Sequence, residues 1–146
     1  MKKFSMMLVA FVTLGLSSCS SDDDSSSNTT ASIVGKWEYL QEGEIVNGIE
    51  TLTPYNHTTG CSKDYIEFKT NATFEDVWYD NTATGCVSDI DSGTWTQNGT
   101  AITSSYSGQT PQTGEILIIN ETSLKIKQVD TSEGVTKTYV TLFKRI

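Results

Sequence analysis

Ile33-Val34-Gly35-Lys36-Trp37-Glu38-Tyr39-Leu40 is the stretch that decides the fold. It is the first segment after a long polar run that is apolar enough to be buried. A glycine opens it, a tryptophan follows two residues later, and alternation begins. Trp37 and Tyr39 fall on one face of an extended chain, Lys36 and Glu38 on the other. The reading is a first β-strand that starts at a close-packed glycine, with an indole plugging one end of a β core.

Downstream, the same period of two recurs between turn signals. Asn47-Gly48 is the pair a tight type I′ hairpin turn wants, and it separates Glu44-Ile45-Val46 from Ile49-Glu50-Thr51-Leu52. Tyr65 to Lys69 alternates, with Ile66 and Phe68 on one face. Thr73 to Tyr79 carries Phe74, Trp78 and Tyr79 and favours a strand, with Asn71 supplying the turn before it. Gly93-Thr94-Trp95-Thr96 starts another strand, and Asn98-Gly99 is a second hairpin signal. Thr100 to Tyr106, Ile116 to Ile119, Ser123 to Val129 and Val135 to Phe143 complete the series, Leu124 and Ile126 facing in and Lys125 and Lys127 out. No segment after residue 18 has a sustained apolar period of 3.6 with caps, so no long helix is expected there. Short strands divided by turns argue for a barrel or sandwich, and eight to ten of them suit an up-and-down antiparallel β-barrel.

The chain upstream reads differently. Lys2 and Lys3 form a basic start, and Phe4 to Leu16 is an apolar run too short to span a bilayer. Residues 1–18 are expected to be a signal peptide. Leu16-Ser17-Ser18-Cys19 resembles a bacterial lipobox, which implies cleavage before Cys19 and acyl chains on that residue. More than one chain gives stable anchoring, at about 0.8 kcal/mol per buried methylene. Residues 19–31 are expected to be a Ser/Asp-rich tether, because Ser20 to Thr30 contains no large apolar side chain. Asp22-Asp23-Asp24 resembles the surface-export signal of Bacteroidetes lipoproteins; the alternative is a plain solvated spacer. The folded domain is then 32–146, in an outer-membrane lipoprotein exposed at the cell surface or facing the periplasm.

Charge excludes one class of partner. Removing Lys2 and Lys3 leaves eight basic residues against eighteen acidic ones, a net charge of −10. Nucleic-acid binding needs a basic footprint, which is missing. Of three cysteines, lipid takes Cys19, and Cys61 and Cys86 form an even pair in an oxidising compartment. A disulfide between them is expected, with two free thiols as the alternative.

The Gly-x-Trp opening of an all-β chain of this size resembles the lipocalin family and its lipocalin-like relatives among bacterial lipoproteins. The resemblance covers Ile33 to Arg145, with Gly35 and Trp37 matching the motif. In that family a basic residue from the far end packs over the tryptophan, which implies Arg145, or alternatively Lys144, in a cation–π contact. The order Cys61, Phe68, Asn71-Ala72-Thr73-Phe74, Cys86, Gly93-Thr94-Trp95 is similar to that of lipocalin-like lipoproteins. It implies a barrel of about eight strands in which Gly35, Trp37, Trp95 and Arg145 are packing residues. Two departures are a shorter chain and no helix before the last strand.

Catalytic motifs are missing: there is no Gly-x-Ser-x-Gly, Cys-x-x-Cys, His pair or phosphate loop. His57 is the only histidine and reads as surface decoration in a polar loop. Asp89-Ile90-Asp91-Ser92-Gly93 has the carboxylate spacing of a calcium-loop start but lacks the downstream acidic ligand, so a turn is expected there. No enzyme activity, cofactor or metal is expected. Two functions stay open. The first is binding of a small hydrophobic molecule inside the barrel, with Tyr39, Phe68, Phe74 and Trp78 as lining candidates. The second is a filled barrel that contacts a surface protein or glycan through exposed Trp78, Tyr79 and Tyr106.

Overall fold

The computed structural model describes residues 31–131 and 135–146. The expected signal peptide, Cys19 and nearly all of the tether lie outside them. Among the described residues the chain is all β, in nine strands: β1 (Gly35–Val46), β2 (Ile49–Pro54), β3 (Tyr65–Phe68), β4 (Thr73–Thr82), β5 (Gly85–Asn98), β6 (Ala101–Tyr106), β7 (Gln112–Ile119), β8 (Ser123–Asp130) and β9 (Lys137–Arg145). Eight of them close a ring. From β3 to β9 each strand pairs antiparallel with the next, and β1 pairs with both β3 and β9. This is the up-and-down barrel the turn spacing called for.

The remaining strand, β2, lies outside the ring. β2 pairs only with the second half of β1, from Gln41 to Val46, through the Asn47-Gly48 turn with φ of 52° and 78°. Glu50 of β2 reaches Lys125 of β8 at 2.5 Å. A bulge between Tyr39 and Gln41 allows β1 to leave its first direction. Gly43 permits the close return of the hairpin: a Cβ there would lie 1.8 Å from the Thr51 carbonyl oxygen.

The core occupies the end of the barrel where the chain enters. Ile33, Trp37, Phe68, Phe74 and Leu124 are at most 2% exposed. Each such side chain contributes about 1.5–3 kcal/mol by leaving water. Phe68 meets Trp95 edge-on at 5.5 Å, and Tyr106 meets Phe74 at 4.8 Å and 89°. The Trp37 Nε1–H donates to the Ile33 carbonyl at 2.7 Å. The Arg145 guanidinium lies 4.0 Å over the Trp37 ring and donates to the carbonyls of Val34 and Ser32. Gly35, at φ 135°, leaves room for it, since a Cβ would stand 2.7 Å from Arg145 Nη1.

Three expectations need correction. The strand expected to start at Gly93 starts at Gly85, because β4 and β5 form a long hairpin that runs past the barrel rim. Its register pairs Thr82 with Gly85 and Thr73 with Thr94. Asp89 to Ser92 is therefore mid-strand rather than a turn. His57 is not surface decoration. Its side chain is 8% exposed, because the loop before β3 folds inward over a gap in the wall beside that short strand. The disulfide does form, between Cys61 and Cys86, with 5.6 Å between Cα atoms. Closing a 25-residue separation contributes about 3 kcal/mol in the loop-entropy model.

Gly43→Ala is expected to lower unfolding free energy by about 2–3 kcal/mol, read by urea denaturation, because the methyl meets backbone that no rotamer can move. An unchanged midpoint would place β2 elsewhere.

Candidate functional site

The barrel has a filled end and an empty one. Strand alternation turns Trp37, Phe68 and Phe74 inward, and their register beside Gly35 gathers them at the Trp37 end. Toward the other end the inward positions become smaller or polar: Ser104 and Tyr106 on β6, Gln112 on β7, Gln128 on β8 and Thr141 on β9. Ser104 stands opposite Gln112, and Ile126 opposite Thr141, so these side chains share the inner face. They enclose a cavity of about 180 Å³ whose apolar part is Ile66, Phe68, Ile102, Ile126 and Phe143. An apolar cavity of about 150 Å³ holds one benzene. The space here fits one ring with a short arm.

The cavity wall continues into a buried polar triad. Asp76 is 6% exposed, on the inner face of β4. Tyr39 donates its hydroxyl to Asp76 Oδ1 at 2.9 Å, and Tyr106 donates to Oδ2 at 3.0 Å. Both tyrosines line the cavity. Burial pushes the Asp76 carboxyl above the ordinary aspartate value, while the two tyrosine hydrogen bonds pull it back. Burial beside that carboxylate raises both tyrosine hydroxyls well above their usual range.

A short strand makes a second polar feature. β3 has four residues between a twelve-residue β1 and a ten-residue β4, so it leaves a gap in the wall. Asp64 fills it. The Tyr39 N–H donates to the Asp64 carbonyl at 3.2 Å, and the Tyr79 N–H donates to Asp64 Oδ1 at 2.8 Å. A side-chain carboxylate thus serves as the missing ladder acceptor. His57 braces it: Nδ1 accepts the Asp64 N–H at 3.0 Å, which leaves Nε2–H to donate to the Tyr39 carbonyl at 2.8 Å. Tyr55 stacks on Tyr39 at 4.8 Å, and burial near Asp64 pushes its hydroxyl up to about 12.

Tyr39 and Phe68 stand in the cavity wall. Phe74 is fully buried behind Tyr106 and does not face the space. Trp78 lines a separate cleft with Tyr55, Asp64, Tyr79 and Asp80. Tyr106, expected at the surface in the filled-barrel reading, is instead inside and bonded to Asp76. Gly35, Trp37, Trp95 and Arg145 are all at the closed end. Asp76 escaped the sequence reading because Glu75-Asp76 looks like a solvated pair. The alternation Phe74, Asp76, Trp78 was the signal that it points inward. No three His, Cys, Asp or Glu side chains are placed to hold a metal ion among the described residues.

Tyr106→Phe leaves Asp76 Oδ2 without a donor and is expected to cost about 1.5–3 kcal/mol of stability at pH 7. The raised carboxyl gives Asp76 an uncommon sign. Where the folded state holds the proton and the unfolded state has lost it, stability falls as pH rises through the folded value. The stability of wild type minus that of Asp76→Asn is therefore expected to be larger at pH 4 than at pH 7, measured by denaturant titration. The opposite slope would mean that the tyrosines outweigh burial.

A family model described as a lipocalin-like domain matches residues 33–126. A lipocalin-like protein from Bacteroides uniformis superposes with a TM-score of 0.54 at 13% identity, over 77% of this chain and 97% of that one. A Bacteroides eggerthii protein superposes with a TM-score of 0.50 at 11% identity, over 77% of this chain and 98% of that one. These likenesses concern the fold. Comparison with curated proteins finds no match. With the family model covering more than half its length, this chain belongs to the lipocalin-like domain family.

Proposed function

We propose that this chain is an outer-membrane lipoprotein whose barrel binds one small, largely apolar molecule. The observation that carries the binding reading is the cavity of about 180 Å³ between the aromatic floor and the polar rim. A barrel meant only as a scaffold would fill that space with its own side chains, as the Trp37 end does. The triad and the neutral polar wall would orient the ligand, and the apolar floor would supply most of the affinity. The protein acts by binding, not by catalysis. The lipobox-like segment and the polar run after Cys19 support an anchored domain held off the membrane by residues 19–31, with the acidic cluster favouring the cell surface.

Native mass spectrometry of the chain purified from its own host is expected to find an extra mass that is lost on denaturation. Ser104→Trp, which puts an indole into the space, should abolish it while the chain still melts cooperatively. A bare mass together with no uptake of any apolar probe would contradict the reading. Cys19→Ala is expected to abolish palmitate incorporation and release the chain from membranes. Protease added to intact cells should remove the domain; survival until the outer membrane is broken would place it on the periplasmic side.

A further inference from the structure

The charges of this barrel are sorted by face. Lys36, Lys69, Lys125 and Lys127 sit on the outer wall, and each is paired with a carboxylate: Glu67, Glu75, Glu50 and Glu115 respectively. The inner, open side is the reverse. Among the described residues, no lysine or arginine lines the cavity. None lines the three clefts that share its wall residues Tyr39, Gln112, Gln128 and Thr141. Those clefts carry Glu42, Glu44, Asp64, Asp76, Asp80 and Asp130; Asp64 lies against His57, and Glu42, Glu44, Asp76 and Asp80 have no cationic partner among the described residues. Lys137, opposite Asp130 at the rim, is the one lysine whose register faces inward on β9.

The triad adds an orientation that charge alone does not give. A carboxylate accepts hydrogen bonds and cannot donate. Tyr39 and Tyr106 therefore both turn their hydroxyl hydrogens toward Asp76. What they offer the cavity is oxygen lone pairs, backed by a buried negative charge. A ligand that brings hydrogen-bond donors and positive charge meets acceptors there. A carboxylate-bearing ligand meets lone pairs and like charge in a site of low dielectric, where repulsion is weakly screened. The rim extends the same preference outward by concentrating cations at the mouth. The absence of a converging metal cluster among the described residues favours an organic cation over a metal ion.

We infer that the barrel selects a small organic cation: an amine whose apolar body, about one ring in size, rests on Ile66, Ile102 and Phe143. Its ammonium group faces the Tyr39–Asp76–Tyr106 triad. The inference rests on the cavity-binding reading above and sharpens it. Fatty acids and other carboxylates are disfavoured as ligands. Asp76 acts through the tyrosines as a positioning residue.

The test uses the full chain in lipid nanodiscs, with empty nanodiscs as reference, and calorimetric titration at pH 7. Three probes share one body: 2-phenylethylammonium, 3-phenylpropanoate and the neutral 3-phenyl-1-propanol. The ammonium is expected to bind at least fivefold tighter than the carboxylate. Asp76→Asn should reduce that ratio at least threefold. Tyr106→Phe, which keeps the charge and loses one acceptor, should weaken the ammonium more than the alcohol and stands in should Asp76→Asn not fold. A wild-type ratio below fivefold with the alcohol bound would overturn the cation preference and leave the cavity reading intact. An unchanged ratio in Asp76→Asn would overturn the assignment to the triad. Failure of all three probes to bind would overturn this inference together with the function proposed above.

Discussion

Everything in this structure depends on the first strand meeting the last. β1 and β9 pair from Trp37–Arg145 to Glu44–Tyr139, and that seam turns a meander into a closed ring with no free edge between them. At its closed end the seam is fixed by one side chain. Arg145 covers the Trp37 ring, donates to two carbonyls of the entering chain and occupies the space that Gly35 leaves empty. The cation there is half-buried, so its ring and carbonyl contacts are worth more than they would be fully exposed to water. The three residues come from opposite ends of the domain, which makes closure a long-range event and the motif a marker of the whole fold rather than of one strand.

Closing the ring forces a choice about what fills it. At the Trp37 end large rings leave no space. At the other end the strands supply Ser104, Gln112, Gln128 and Thr141, which are too small or too polar to do the same. The triad is then the polar limit of the core. Asp76 is tolerated in the wall because each of its oxygens receives a tyrosine hydrogen. Asp64 is tolerated because it completes the β1–β4 wall where β3 is too short. Two buried carboxylates thus serve different ends: one closes the wall, the other gives the interior its polarity.

Much of this was legible in residue order. Turn pairs at Asn47-Gly48 and Asn98-Gly99, strict alternation in Ser123 to Val129 and the Gly35–Trp37 spacing each name a local geometry that tertiary context does not override. The misses have physical causes. The tip of the β4–β5 hairpin passes the rim, so it has no buried face and no apolar alternation to read; Asp89 and Asp91 look like a turn because nothing packs on them. His57 looked exposed because its burial comes from filling a gap, which depends on the length of β3. Bulges at Leu40 and Leu117 shift which residues face inward, and a strict period of two cannot anticipate them. The site was the least legible part, because Asp76 gains its meaning from tyrosines 37 and 30 residues away.

The barrel is open inside at one end and closed at the other. Isoleucine methyl NMR tests it directly, since Ile66, Ile102 and Ile126 line the cavity while Ile49 and Ile90 lie exposed outside. On titration with cyclohexane, the three inner methyl groups are expected to shift and give intermolecular NOEs, while the two outer ones stay still. Shifts confined to Ile49 and Ile90, or no shift at all, would contradict it and describe a solid barrel with a sticky surface.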